Sequence, residues 1–127
     1  SYNLFEKLKL ENFSLMPGSE SKLLKGLELG CSGIITATCN VTAQLARRVY
    51  DDFFSGKEQM YNQKLIDVRN AFEKYNLISA LHTFKSKEDK IYENVLPPLG
   101  LLNSENNNNL MENLKKLDFQ IKSKLAA

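Results

Sequence analysis

One histidine and two cysteines are all that this chain of 127 residues offers as soft metal ligands. That falls short of the four ligands a structural zinc site needs. Cys31 and Cys39 leave two readings open: a pair of reduced thiols behaving as small hydrophobes, or a disulfide between them. No apolar run approaches the ~20 residues of a membrane span, and the first residues lack the basic stretch and apolar core of a signal peptide. A charge of one sign is also missing. Lys and Arg number 17 against 15 Asp and Glu, a net charge of +2 spread along the chain, which points away from nucleic acid and from membrane surfaces as partners. With 43% hydrophobic and 25% charged residues, the composition is that of a soluble globular protein, expected in the cytoplasm, and the length suffices for one domain with a real core.

Residues 13–40 are the most informative stretch. Phe13 to Met16 predicts a short strand, which Pro17-Gly18 stops. An amphipathic helix follows over 20–29, with Leu23, Leu24, Leu27 and Leu29 on one face and Gly30 suited to a left-handed C-terminal cap. Gly33-Ile34-Ile35-Thr36-Ala37-Thr38 predicts a second strand, apolar on both sides. Two strands separated by one helix should be parallel neighbours with a right-handed crossover. Ser19, Glu20, Thr36, Thr38 and Asn40 then lie near the carboxyl ends of those strands, where parallel α/β folds place their ligands. Capping offers a plainer account of two of them, since Ser19 and Asn40 each precede or open a helix.

The rest of the chain reads as helices. Residues 4–12 suggest the tail of one. Val41, Leu45, Val49 and Phe53 form an i, i+4 row in a helix from Asn40 to about Phe54, ended by Gly56. Tyr61, Leu65, Val68, Phe72 and Tyr75 mark a long amphipathic helix. Leu77 to Lys85 suggests a shorter one, and Ile91 to Val95 is ambiguous. Pro97-Pro98 imposes an extended segment over 96–102. The asparagines from Asn106 to Asn109 read as a loop or frayed helix start, and Leu110, Leu114, Leu117 and Ile121 as the last amphipathic helix. A two-stranded sheet is marginal by itself. Together with an opening inside an apparent helix and without an initiator Met, this makes the chain read as a piece of a longer protein.

The blocks Gly18-Ser19-Glu20, Gly26-Leu27, Gly30-Cys31-Ser32-Gly33 and Ile35-Thr36-Ala37-Thr38-Cys39-Asn40-Val41 resemble the dihydrodipicolinate synthase and N-acetylneuraminate lyase family of pyruvate-dependent class I aldolases. The resemblance spans essentially the whole chain. It implies the C-terminal part of a (β/α)8 TIM barrel, with strand seven at 13–17 and strand eight at 33–38. Residues 1–56 would end the barrel, and residues 57–127 would form a C-terminal helical domain. Pro97-Pro98-Leu99 is similar to the family's Arg-Pro-Pro-Leu stretch, with Leu96 where arginine is frequent.

The resemblance also implies a Schiff-base mechanism joining or cleaving pyruvate and an aldehyde. Its lysine and its proton-shuttling tyrosine would lie upstream of Ser1. Such a lysine must be desolvated to be nucleophilic near neutrality. Lys22, Lys25, Lys57 and Lys64 fall on predicted helix surfaces, so no catalytic residue is assigned within the chain. By the same resemblance Gly18 and Ile35 line the pyruvate end, Ile35 through its backbone carbonyl. Ser19 and Glu20 match positions that meet the second substrate. Ala37 stands where the sialic-acid lyase has a serine, which argues against that specificity. Strand alternation sends Thr36 to the opposite side, as a structural residue. For Glu20 a second reading stands beside substrate contact, namely favourable interaction with a helix N-terminus. No cofactor and no metal is expected, and the partners would be small molecules and further copies of the chain, as a dimer or tetramer. The alternative is a non-catalytic protein-association module derived from the same barrel. His82, Arg47, Arg48 and Arg69 read as packed or ion-paired residues. Tyr50, Phe53, Phe54 and Phe72 read as core.

Overall fold

The computed structural model of the chain describes residues 2–8 and 11–120. Six α-helices make up its regular structure: α1 (Tyr2–Leu8), α2 (Leu23–Glu28), α3 (Cys39–Phe54), α4 (Asn62–Glu73), α5 (Leu77–Ser86) and α6 (Ser104–Lys116). Short 3-10 turns precede α2 at Glu20–Lys22 and follow α5 at Lys90–Glu93. Two compact units divide the chain, the first over 1–66 and the second over 67–127, with the division falling inside α4.

The two predicted strands are not formed, and the α/β barrel-end architecture is corrected accordingly. Among the described residues there is no strand; 13–17 and 31–36 are irregular segments, and the chain turns at 37–38 into α3. Two backbone hydrogen bonds tie these segments together, Ser32 N–H to the Leu15 carbonyl and Ile35 N–H to the Pro17 carbonyl, both at 3.1 Å. Two bonds do not make a ladder. A sheet needs paired neighbours along its length, and a two-stranded sheet is marginal even when complete.

The first unit is built around α2 and α3. Gly30 adopts φ +86°, and two bonds close α2 behind it, Gly30 N–H to the Leu27 carbonyl and Cys31 N–H to the Gly26 carbonyl. That pairing is the Schellman arrangement, which needs a residue tolerant of the left-handed region at this point. Leu23 and Leu27 from α2 meet Ala46 and Val49 from α3 and Leu65 from α4, flanked by Ile34, Leu45, Tyr50, Phe53 and Tyr61. The buried face of α3 runs through Thr42, Ala46 and Val49, a polar residue leading the stripe. Phe54, expected in the core, is 63% exposed and instead packs its ring on Tyr50 at 4.7 Å and Phe53 at 5.1 Å. Helix α3 begins at Cys39, so Asn40 lies in its first turn, where its side chain donates to the Ala37 carbonyl at 2.8 Å.

In the second unit Phe72, Ala80, Phe84, Leu110 and Leu114 are buried. Phe84 meets the edge of Phe72 at 5.4 Å and stacks on Phe119 at 5.8 Å. Helix α5 packs on α6 and on the 3-10 turn after it. Thr83 binds the connecting segment, its hydroxyl accepting Leu102 N–H at 2.9 Å. Residues 106–109, read as a loop or a frayed helix start, are helical within α6. Asn103 caps α6 by accepting Asn106 N–H at 2.8 Å, which offsets the poor helix propensity of the asparagine run. At Pro97-Pro98 the chain turns rather than extends, Leu99 N–H donating to the Leu96 carbonyl at 3.1 Å. Ile121 of the predicted last helix lies outside the described residues.

Candidate functional site

Ser19 is extended and its hydroxyl faces Ser21, with the two side-chain oxygens 2.9 Å apart and Ser21 N–H donating at 3.4 Å. This cap starts the 3-10 turn and turns the next side chain, Glu20, into the protein, where it is fully buried. Three hydroxyls converge on one of its oxygens, Oε1. Thr36 donates at 2.7 Å, Thr42 donates at 2.9 Å, and Thr38 donates as well. The three threonines come from two places, the irregular segment before α3 and the first turns of α3 itself. Thr38 and Thr42 stand four residues apart, so helix geometry puts both on one face.

Burial pushes the Glu20 carboxyl up, but donation from Thr38, Thr36, its own backbone N–H and Thr42 outweighs it and holds the group below the usual glutamate value. The cluster extends further through its oxygens. Thr36 Oγ1 accepts Cys39 N–H at 3.1 Å, at the start of α3. Thr36 and Thr38 hydroxyls lie 3.1 Å apart, and the Thr42 hydroxyl also faces the Thr38 carbonyl at 3.1 Å. The negative charge therefore sits at the N-terminal end of a 16-residue helix and acts on it through hydroxyls.

The opposite side of the same segment is open. Ile35 is 71% exposed and Ala37 is exposed, while Thr36 and Thr38 between and after them face Glu20. Gly18 is exposed beside Ile35: a Cβ built on it would stand 3.9 Å from the Ile35 carbonyl oxygen. Gly18 and Ile35 thus stand side by side and exposed; Ser19 next to Gly18 is half-buried, Ala37 is exposed, and Glu20 is buried. Thr42 was not among the residues singled out from sequence. Its signal is the i, i+4 spacing from Thr38, on the face of α3 that continues through Ala46 and Val49.

The other candidates are structural. Arg47 pairs with Asp51 at 3.0 Å and lies over the Tyr50 ring; Arg48 lies over Tyr61, and Arg69 pairs with Glu73 at 3.0 Å. His82 is half-buried with Nδ1 2.8 Å from the Tyr92 carbonyl oxygen. Cys31 and Cys39 are both free, and burial pushes the Cys31 thiol up. Among the described residues no lysine is buried, no group of three or more His, Cys, Asp or Glu could hold a metal ion, and no helix is long and apolar enough to cross a membrane.

A sequence profile of the dihydrodipicolinate synthetase family matches residues 2–117, and the chain belongs to that family. Among solved structures it is similar to a dihydrodipicolinate synthase from Bacillus anthracis, with a TM-score of 0.79 at 17% sequence identity. That likeness covers 91% of this chain and 41% of the other, so the chain spans less than half the length of that relative. No curated protein sequence matches the chain.

Proposed function

We propose that the chain supplies part of the substrate pocket of a pyruvate-dependent, Schiff-base-forming aldolase or synthase that makes or breaks a carbon–carbon bond between pyruvate and an aldehyde. The observation that carries this reading is the surface bordered by Gly18 and the Ile35 carbonyl in a member of the dihydrodipicolinate synthetase family. A glycine beside the backbone carbonyl of an exposed residue leaves room for a small ligand to approach, and a carbonyl is a hydrogen-bond acceptor. Ser19 next to Gly18 and the exposed Ala37 belong to the same proposed pocket, and the buried Glu20 supports it. The nucleophilic amine would come from outside this chain, because a Schiff-base lysine works in a desolvated site and every described lysine here is exposed or half-exposed.

Trapping with borohydride tests the reading. A protein carrying this chain together with the remainder of a full-length family member should gain one reduced pyruvate adduct by mass spectrometry, on a lysine outside residues 1–127. The isolated chain should gain none. An adduct on a lysine of this chain overturns the assignment of the nucleophile. No adduct on the longer protein overturns the aldolase reading and favours a module that serves protein association.

A further inference from the structure

We propose that Glu20 is a positioning residue, acting through Thr36, Thr38 and Thr42 to set the backbone of Ile35 to Ala37 without itself contacting a ligand. The buried carboxylate accepts from Thr36 at 2.7 Å, from Thr42 at 2.9 Å and from Thr38. Thr36 is the residue between the two exposed ones. Thr36 faces Glu20 while its neighbours Ile35 and Ala37 are exposed, so holding the Thr36 hydroxyl on Glu20 keeps those two residues outward. The same pull fixes where the Ile35 carbonyl stands against Gly18 and where Ile35 N–H meets the Pro17 carbonyl, at 3.1 Å.

Charge matters to this role. A carboxylate oxygen binds hydroxyl donors about twice as strongly as a neutral acceptor does. Weakened at Glu20, the hydroxyls have other places to go. Thr42 can turn wholly to the Thr38 carbonyl at 3.1 Å, and the Thr36 and Thr38 hydroxyls, 3.1 Å apart, can bond each other. In that second arrangement the threonines remain satisfied, but the hydroxyl bonds from Thr36, Thr38 and Thr42 to the Glu20 carboxylate are released. The cluster thus offers a held and a released arrangement of the same side chains, and the ionised carboxylate selects the held one.

Amide hydrogen exchange by NMR on the whole chain, comparing wild type with Glu20→Gln and Thr42→Val, tests this. In Glu20→Gln the amides of Ser32 and Ile35 should exchange about tenfold faster, while those of α4 and α5 keep their wild-type rates. In Thr42→Val, which keeps the charge and the shape, the same two amides should speed up severalfold. If the loss of protection in Glu20→Gln is confined to residues 20–23, Glu20 only serves its own turn and the proposal is overturned. If Glu20→Gln unfolds, Thr42→Val decides: unchanged Ser32 and Ile35 amides overturn the proposal, and selective acceleration supports it. The consequence for catalysis rests on the aldolase reading. In a longer protein that traps pyruvate, Glu20→Gln should raise the KM for pyruvate about tenfold and leave the adduct on the same lysine. A longer protein that traps no pyruvate sinks the aldolase reading and leaves the exchange result standing.

Discussion

The two units solve the same problem with different materials. In the second, Phe72, Phe84, Leu110 and Leu114 fill the interior, and rings meet at 5.4 and 5.8 Å. In the first, an aliphatic cluster of Leu23, Leu27, Ala46, Val49 and Leu65 stands beside a polar node in which one carboxylate takes three hydroxyls. Apolar packing is non-directional, and its strength scales with the area hidden from water. A hydrogen-bonded node contributes less net stability per group, but it fixes direction, and it costs stability if any member lacks a partner. The node includes Thr36, next in the chain to the exposed Ile35, where direction matters. The ring cluster stands where only volume does.

The contrast should appear first as a difference in scale. Phe72→Ala should destabilise the chain by about 3–5 kcal/mol, the range for emptying a buried aromatic site. Denaturant titration followed by circular dichroism measures it. Glu20→Ala should cost less, about 1–3 kcal/mol, the penalty for stranding buried hydrogen-bonding groups. The alternative partners of Thr36, Thr38 and Thr42 keep it in the lower part of that range. A loss for Glu20→Ala that matches Phe72→Ala would show that the node carries the first unit's stability instead of its geometry.

Acid separates the units further. Glu20 is held below its ordinary pKa in the folded chain, so the unfolded chain binds its proton more readily. Its stabilisation is therefore complete above the ordinary glutamate value and is lost as pH falls through the lower, folded value. Thermal unfolding of wild type and Glu20→Gln, followed downward from pH 6, should converge in that acid window. Parallel curves would mean that Glu20 has no depressed pKa.

How far this was legible from sequence differs between the regions in the same way. Helices α3 and α4 follow from the spacing of Val41, Leu45, Val49 and Phe53 and of Tyr61, Leu65, Val68 and Phe72, because amphipathic periodicity is a local signal. Helix α5 matches the shorter helix read over Leu77 to Lys85. The family was legible in the residues from Gly18 to Val41. The strands were misread because pairing is not local: Phe13 to Pro17 and Gly33 to Thr38 have strand-like composition, but no strand forms among the described residues. There Ser32 N–H meets the Leu15 carbonyl and Ile35 N–H the Pro17 carbonyl. The asparagines, read as a loop or a frayed helix start, are helical because a single cap, Asn103, outweighs the propensity of the run it precedes. Thr42 was passed over because its i, i+4 spacing from Thr38 points to no particular acceptor until Glu20, 22 residues away, is in view.

Asn103→Ala brings the comparison down to one bond in the second unit. It removes the acceptor for Asn106 N–H and should cost about 1 kcal/mol, confined to α6. Loss of exchange protection limited to the first turn of α6 would be the matching local signature.

The smallest effect on stability is expected at Gly18, and it is the most telling. Two glycines of the first unit differ in what the backbone asks of them. Gly30 sits at φ +86°, where a side chain is strained by about 1–2 kcal/mol, so Gly30→Ala should destabilise by that amount although nothing lies within 4 Å of the added carbon. Gly18 carries no such constraint. Its added Cβ would meet only the Ile35 carbonyl oxygen at 3.9 Å, an ordinary contact, so Gly18→Ala should change stability by no more than about 0.5 kcal/mol. The fold thus gives no reason for a glycine at position 18, whereas a ligand at the Ile35 carbonyl would. A longer protein that traps pyruvate should therefore keep its melting temperature in Gly18→Ala and lose pyruvate affinity, read as a higher KM with the adduct still on the same lysine. Unchanged affinity would move the ligand surface away from Gly18. A melting temperature that falls as far as in Gly30→Ala would make Gly18 a requirement of the backbone instead.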